Sequence, residues 1–222
     1  MTLLSQNELA KITNHRSGEI KFGEKILTVP KDTDVVEFMN SCDAKFVLIG
    51  LPEDIGVRAN LGRPGAASAY ESALKNLVNI QHNKFCKESN LLVLGHLDCT
   101  EEMAVATTLD AKNKEDRKKL FELVEKIDVE VSHIVHQIVK AGKIPIIIGG
   151  GHNNAYGNIK GLALAKGKPV NAINFDAHTD FRTLEGRHSG NGFSYAFEDG
   201  FLKKYFVFVF FLDVTGLEYD EV

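Results

Sequence analysis

Five short stretches of this chain are apolar almost without interruption: 45–52 (KFVLIGLP), 90–98 (NLLVLGHLD), 143–151 (KIPIIIGGG), 170–176 (VNAINFD) and 204–213 (KYFVFVFFLD). A strand with one wet face alternates apolar and polar residues, whereas a strand buried on both faces does not. Each run closes on Gly, Pro or Asp, residues that stop a strand. Between the runs lie segments of helical period. The longest spans 114–141, where Leu120, Val124, Ile127, Val131, Ile134 and Ile138 recur at helical spacing. Two more helices are predicted over 65–80 and 154–167, the second weakened by Gly157, Gly161 and Gly167. Strands alternating with helices predict an α/β fold whose mostly parallel sheet is covered on both faces. The first 40 residues follow no such pattern and are expected to form a less regular segment over the surface. No repeat, low-complexity tract or linker interrupts the chain, so a single domain over 1–222 is expected.

Composition narrows the function classes. The chain has 222 residues and a formal net charge of −4, and it carries no basic stripe, which argues against a nucleic-acid binder. Cys42, Cys86 and Cys99 are odd in number and far apart, so they read as reduced thiols of a cytoplasmic protein. The polar N-terminus carries no signal-peptide pattern. The longest apolar run, 205–212, is too short to cross a bilayer as a helix.

Chemistry gathers where two of the strands end. Open parallel sheets bind ligands beyond the carboxyl ends of their strands. The third run leads into GGGHNN and places His152 at a strand end. The fourth leads into Asp176-Ala-His178-Thr-Asp180. In extended chain, residues two apart share a side, so Asp176, His178 and Asp180 can converge, with His152 joining from the neighbouring strand. Carboxylates with imidazole suit Mn²⁺, Zn²⁺ or Fe²⁺, and the absence of thiolates argues against structural zinc. A bridging carboxylate would let such a site hold two ions. Read alone, DAHTD is also compatible with an Asx-capped turn bearing a surface histidine. GGGH alone is a common glycine turn, and it fails the dinucleotide Gly-x-Gly-x-x-Gly spacing. Together, each after an apolar strand, the two motifs favour a metal.

The pair resembles the ureohydrolases: arginase, agmatinase and formimidoylglutamase. The resemblance covers roughly residues 45–205 and extends to IGLPEDIGVRANLGRPGAASAY at 49–70, which is similar to the first strand and following helix start of that family. The GVRxNxGRxGA form, Gly151 in GGGH and Arg182 shortly after the second motif point to formimidoylglutamase in particular. The resemblance implies a three-layer α/β sandwich holding two Mn²⁺ ions, with His152, Asp176, His178 and Asp180 as ligands and Asp176 bridging. It implies hydrolysis of C–N bonds in linear amidines or guanidines by metal-bound hydroxide, in a homo-oligomer. N-formimidoyl-glutamate is the favoured substrate and arginine the second. Arg182 and Asn191 become candidates for the substrate's carboxylate, and His188 for general acid/base.

Two departures qualify that reading. In GRHSGNGFSYA, at 186–196, the family's acid/base histidine position aligns with Ser189, one residue from His188. The family's third motif, Ser-x-Asp-x-Asp-x-x-Asp-Pro, supplies further aspartates from a strand between the first two motif strands. Here the nearest match is Asp213 with Thr215, too close to Asp180. The expectation is a chain truncated relative to the family, binding at most one Mn²⁺ weakly, with His152 displaced from Asp176. The alternative to an active hydrolase is a catalytically inactive member. His96 and Asp98 are candidates for supporting roles, whereas His15, His82, His133 and His136 read as surface or boundary residues.

Overall fold

The computed structural model describes residues 1–85 and 88–208. Cys86, Asp213 and Thr215 lie outside them, as does the end of the fifth apolar run. All five apolar runs contain strands, namely β2 (Phe46–Gly50), β3 (Leu91–His96), β4 (Ile144–Ile148), β5 (Val170–Phe175) and β6 (Leu202–Phe208). A further short strand, β1 (Thr2–Leu3), precedes them. The helices are α1 (Gln6–Ile12), α2 (Val35–Ser41), α3 (Ile55–Ala59), α4 (Ala69–Val78), α5 (Thr100–Ala106), α6 (Lys114–Lys140), α7 (Ala155–Lys166) and α8 (Gly192–Glu198).

The strands form two sheets. One has the order β1-β3-β2-β4, with β3, β2 and β4 mutually parallel and β1 antiparallel at its edge. The other pairs β5 with β6 in parallel, Ile173 opposite Phe206 and Phe175 opposite Phe208. The strands that carry the two motifs, β4 and β5, therefore do not pair with each other.

Alternation along the central strands builds the layers. Val47, Ile49, Leu92 and Leu94 face one way, into a core with Met39 of α2 and Leu120, Val124, Val131 and Ile138 of α6. Leu48, Leu91 and Val93 face the other way, toward Leu9 of α1 and Tyr70, Leu74 and Val78 of α4. Each such side chain contributes about 1.5–3 kcal/mol when fully buried. The N-terminal segment is more regular than expected: β1 extends the sheet, and Leu9, Phe22, Ile26 and Met39 are buried.

Helix α6 starts where Asn113 accepts the N–H groups of Glu115 and Asp116, and its first turn is acidic, as the helix dipole favours. Helix α7 packs along α6. A Cβ on Gly161 would come within 2.8 Å of Val135 Cβ and crowd the Ser132 carbonyl, so the glycines that lower helix propensity here are what lets the two helices approach. The β5–β6 sheet rests one face on Tyr156, Ile159, Phe193 and Ala196. Its other face leaves Ile173, Phe175, Phe206 and Phe208 exposed.

Candidate metal centre

Beyond β4 the chain turns through Gly149 and Gly150, both at positive φ, +92° and +78°. A single turn, His152–Asn154, then leads into α7. Beyond β5, Asp176 Oδ1 accepts the backbone N–H of His178 at 2.9 Å, which closes an Asx turn and ends the extended conformation. Asp180 follows in the left-handed region at φ +45°.

This turn decides which side chains meet. His152, Asp176 and Asp180 each offer a donor atom, and the three atoms lie within 4.8 Å of one another. His152 Nδ1 pairs with Asp180 Oδ2 and stands 3.5 Å from Asp176 Oδ2. The Asp180 hydrogen bond raises the imidazole pKa above its ordinary value, burial opposes it, and the charges of Asp180 and Asp176 reinforce it. His152 is thus aligned with Asp176 rather than displaced from it. His178 stays outside the cluster: its side chain is 82% exposed and its Nδ1 lies 3.3 Å from Asp176 Oδ1. The convergence of residues two apart holds only for extended chain, and residues 176–180 are not extended.

The two motif loops are tied together through α8. The rings of His152 and Phe193 meet at right angles, centroids 5.3 Å apart, and Phe193 stacks on Tyr205 at 4.4 Å. Tyr205 donates its hydroxyl to the Thr179 carbonyl at 2.7 Å and receives the Asn174 amide at 3.1 Å. Two carboxylates and an imidazole, partly buried and held from both sides, fit a divalent cation of the Mn²⁺ or Fe²⁺ type: the donors are oxygen and nitrogen, and two like charges at this spacing repel unless a cation joins them.

The loop after the second motif folds inward on itself. Arg187 is buried, its Nε 2.8 Å and Nη2 3.2 Å from the Asp128 carboxylate of α6. It also donates to Asn191 Oδ1 at 2.8 Å and to the Asn153 carbonyl at 3.0 Å, and lies between the rings of Tyr156 and Tyr195. Asn191 spends its amide within the loop. Its Oδ1 accepts from Arg187 and from the His188 N–H, and its Nδ2 donates to the carbonyls of Thr183 and Gly186. As folded, the Asn191 amide is thus fully bonded within the loop. His188 is 0% exposed. Its Nε2 faces Glu185 Oε1 at 3.2 Å, and its Nδ1 accepts the Gly190 N–H at 3.1 Å. Both ring nitrogens are engaged, so His188 as placed organises the loop and has no contact with the cluster. Ser189 Oγ accepts from Asn60 Nδ2 at 3.1 Å. Arg182 reaches outward with 55% of its side chain exposed, and one guanidinium nitrogen donates to Asn60 Oδ1 at 2.6 Å. His96 lies beside Tyr70 with the rings tilted at 49°, and Asp98 bonds Thr100; neither touches the cluster.

Burial pushes the Asp128 carboxyl up to about 6, with Arg187 pulling it back down. The folded value exceeds the ordinary 3.8, so the native state holds this proton more tightly than the unfolded chain does. Asp128 then contributes stability that is complete below about 4 and lost as pH rises through about 6. Asp128→Asn should remove that component. Denaturation midpoints at acid and neutral pH are expected to shift in the variant's favour as pH rises, relative to the parent; parallel profiles would contradict this.

Three residues outside the expected set organise the site. Glu53 binds the GGGHNN turn through Gly151, Asn153 and Asn154. Asp54 joins Arg58 to the Gly65 N–H. Asn60 links the 49–70 segment to Arg182 and Ser189. The signal for Asp128 was visible: a carboxylate four residues after Val124, on the apolar stripe of α6.

The fold and the cluster define an α/β protein with a carboxylate–imidazole site at its strand ends. The chain belongs to the arginase family: the family's model matches residues 44–210, which include β4, β5 and both motifs. Curated relatives include the formimidoylglutamases of Chromobacterium violaceum, 33% identical over 66% of this chain and 40% of that protein, and of Geobacillus sp., 32% identical over 72% and 44%. That of Streptococcus gordonii is 29% identical over 77% and 49%. The chain thus spans half or less of the length of these relatives. Among solved structures, Trypanosoma cruzi formiminoglutamase with Mn²⁺ matches with a TM-score of 0.56 at 23% identity, over 86% of this chain and 57% of that one. The Bacillus subtilis formimidoylglutamase gives 0.58 at 21%, over 86% and 52%. These structural matches establish the arginase-like fold. Among the described residues no helix is long and apolar enough to cross a membrane.

Proposed function

We propose that this chain supplies a Mn²⁺-type centre to a hydrolase of linear amidines or guanidines, with N-formimidoyl-glutamate the favoured substrate and arginine the second. The observation that carries the reading is the meeting of His152, Asp176 and Asp180 across two separate sheets. Strand pairing does not impose that meeting, since β4 and β5 belong to separate sheets. With three donors in the cluster, the described residues provide for one ion, and His178 is not needed to hold it. Bound there, a divalent cation supplies Lewis acidity and lowers the pKa of water. The chain's own residues do the rest. Phe193 packs at right angles to His152, Asn60 and Glu185 aim the Arg182 guanidinium, and Arg182, with 55% of its side chain exposed, is the group offered to a substrate carboxylate. The names of the curated relatives support the formimidoyl-glutamate class.

A substrate panel with added Mn²⁺ tests the reading. Turnover of formimidoyl-glutamate or arginine is expected, with little of agmatine, which lacks the carboxylate. Losing a charge-assisted hydrogen bond worth about 1.5–3 kcal/mol, Arg182→Ala should weaken kcat/KM for the carboxylate-bearing substrate about 10–150-fold. Preferential turnover of agmatine, or indifference to Arg182→Ala, would sink the assignment of Arg182.

A further inference from the structure

We propose that Glu53 is the positioning residue for His152: a buried carboxylate that holds the GGGHNN turn in the one conformation from which His152 can reach Asp176 and Asp180. The proposal rests on the metal-centre reading for its ligand and on independent geometry for the positioning itself. Glu53 is 0% exposed. Its Oε1 accepts the Gly151 N–H at 3.0 Å, Asn153 Nδ2 at 3.2 Å and Asn154 Nδ2; its Oε2 accepts the Ile55 N–H at 2.8 Å. Four N–H donors from both sides of His152 and from the start of α3 converge on one side chain. Among the described residues no lysine, arginine or histidine forms an ion pair with it.

A buried carboxylate costs several kcal/mol unless its lone pairs are filled, and here neutral N–H groups fill them. That arrangement is expensive for stability alone, since an apolar side chain would fill the volume without the desolvation cost. What the carboxylate supplies is one acceptor shared by several donors of the turn. The chain leaves β4 through Gly149 and Gly150, so the Gly151 N–H has left the sheet ladder and turns to Glu53, as do the side-chain amides of Asn153 and Asn154, the latter also bonded to the Gly151 carbonyl at 3.0 Å. Gly150 has to be glycine in this setting, being at φ +78° with Glu53 Oε1 3.0 Å from where its Cβ would stand. Glu53 therefore sets the path of the turn on both sides of His152, while Phe193 packs at right angles to its ring. Metal affinity depends on such supporting contacts, whose loss typically costs 10–100-fold.

Glu53→Gln is the sharpest probe, because it keeps shape and replaces one acceptor oxygen by a donor facing other donors. Mn²⁺ alone is titrated calorimetrically into the parent, into Glu53→Gln and into Leu9→Ala, a core change on the α1 side of the sheet that lowers stability without touching the turn. Amide hydrogen exchange at Gly151 and Ile55 is followed in the metal-free proteins. The expected result is Mn²⁺ affinity weakened about 10–100-fold by Glu53→Gln, under twofold change in Leu9→Ala, and faster exchange at Gly151 and Ile55. Parent-like Mn²⁺ affinity in Glu53→Gln, or an equal loss in Leu9→Ala, would overturn the proposal. If the parent itself bound no Mn²⁺, the metal-centre reading would fail separately. Exchange would then decide: unchanged protection at Gly151 in Glu53→Gln would refute positioning by Glu53, and protection lost at Gly151 and Ile55 but kept in the α1 side of the core would uphold it. Should Glu53→Gln not fold, Asn153→Ala removes the side-chain donor that reaches Glu53 Oε1 at 3.2 Å and is expected to weaken Mn²⁺ binding by a smaller factor; full affinity there would also count against Glu53.

Discussion

Replacing Arg187 by methionine is expected to lower the unfolding free energy by about 3–5 kcal/mol, the usual cost of leaving one member of a buried pair uncompensated. Asp128 would remain beneath α7 with its charge unanswered, and its carboxyl, already pushed up to about 6 with Arg187 present, would rise further. The aliphatic stem of methionine can still lie between Tyr156 and Tyr195, so the loss would report the charge rather than a cavity. Pairing the change with Asp128→Leu removes the stranded carboxylate. That double variant should recover at least half of the loss, since apolar replacements of buried ion pairs are often neutral or stabilising. Urea midpoints at constant m-value measure both. Stability and site order should then part company. Arg187 also anchors the Asn153 carbonyl beside His152 and the Asn191 amide that closes the loop. The double variant should regain stability while Mn²⁺ affinity stays lowered. Full recovery of both would mean that the Arg187–Asp128 pair organises nothing beyond itself.

That pair also shows where sequence reading stops. The strands were legible because a doubly buried strand is apolar at every position: β2, β3, β4 and β5 fall within their apolar runs, and β6 starts two residues before its own. Helix α6 was legible because its stripe repeats for about five turns, from Leu120 to Ile138. Short elements such as α3, α5 and α8 were not: five to seven residues hold too few periods to stand out, and their places are set by what they pack on. Within the site, residue type was readable but direction was not. Asp176 and Asp180 meet at His152, yet an Asx turn and a left-handed Asp180 turn His178 outward, and no spacing rule contains that turn. The polar loop GRHSGNG read as a source of acid/base and substrate-binding side chains, His188 and Asn191. Its side chains instead satisfy one another in the interior, because a loop buried against α6 has to supply its own hydrogen-bond partners. Glu53 was overlooked for a related reason: a carboxylate after a strand resembles a surface residue until the turn it serves has been placed in space.

Asp180→Asn is expected to abolish measurable Mn²⁺ binding while leaving the fold nearly as stable as before. Asparagine tolerates the left-handed backbone that Asp180 adopts at φ +45°, so the substitution adds no strain there. It removes a charge and an anionic donor from a cluster to which the described residues bring three donors, His152, Asp176 and Asp180. Losing a supporting contact typically costs a metal 10–100-fold, so losing one of three direct donors should cost on the order of 100-fold or more. The metal-free protein should respond differently. Asp180 and Asp176 repel each other without a cation, and His152 answers only one of them closely. Neutralising Asp180 relieves that repulsion and forfeits the His152 contact, two effects of opposite sign. Asp176→Ala should behave like Asp180→Asn toward Mn²⁺. His178→Ala should not: with its side chain 82% exposed and outside the cluster, its removal is expected to change Mn²⁺ affinity less than threefold. Calorimetric titration with Mn²⁺, alongside thermal unfolding without metal, separates these outcomes. A large loss of affinity in His178→Ala, equal to that in Asp180→Asn, would restore His178 as a ligand and show that the 176–180 turn rearranges when the ion binds.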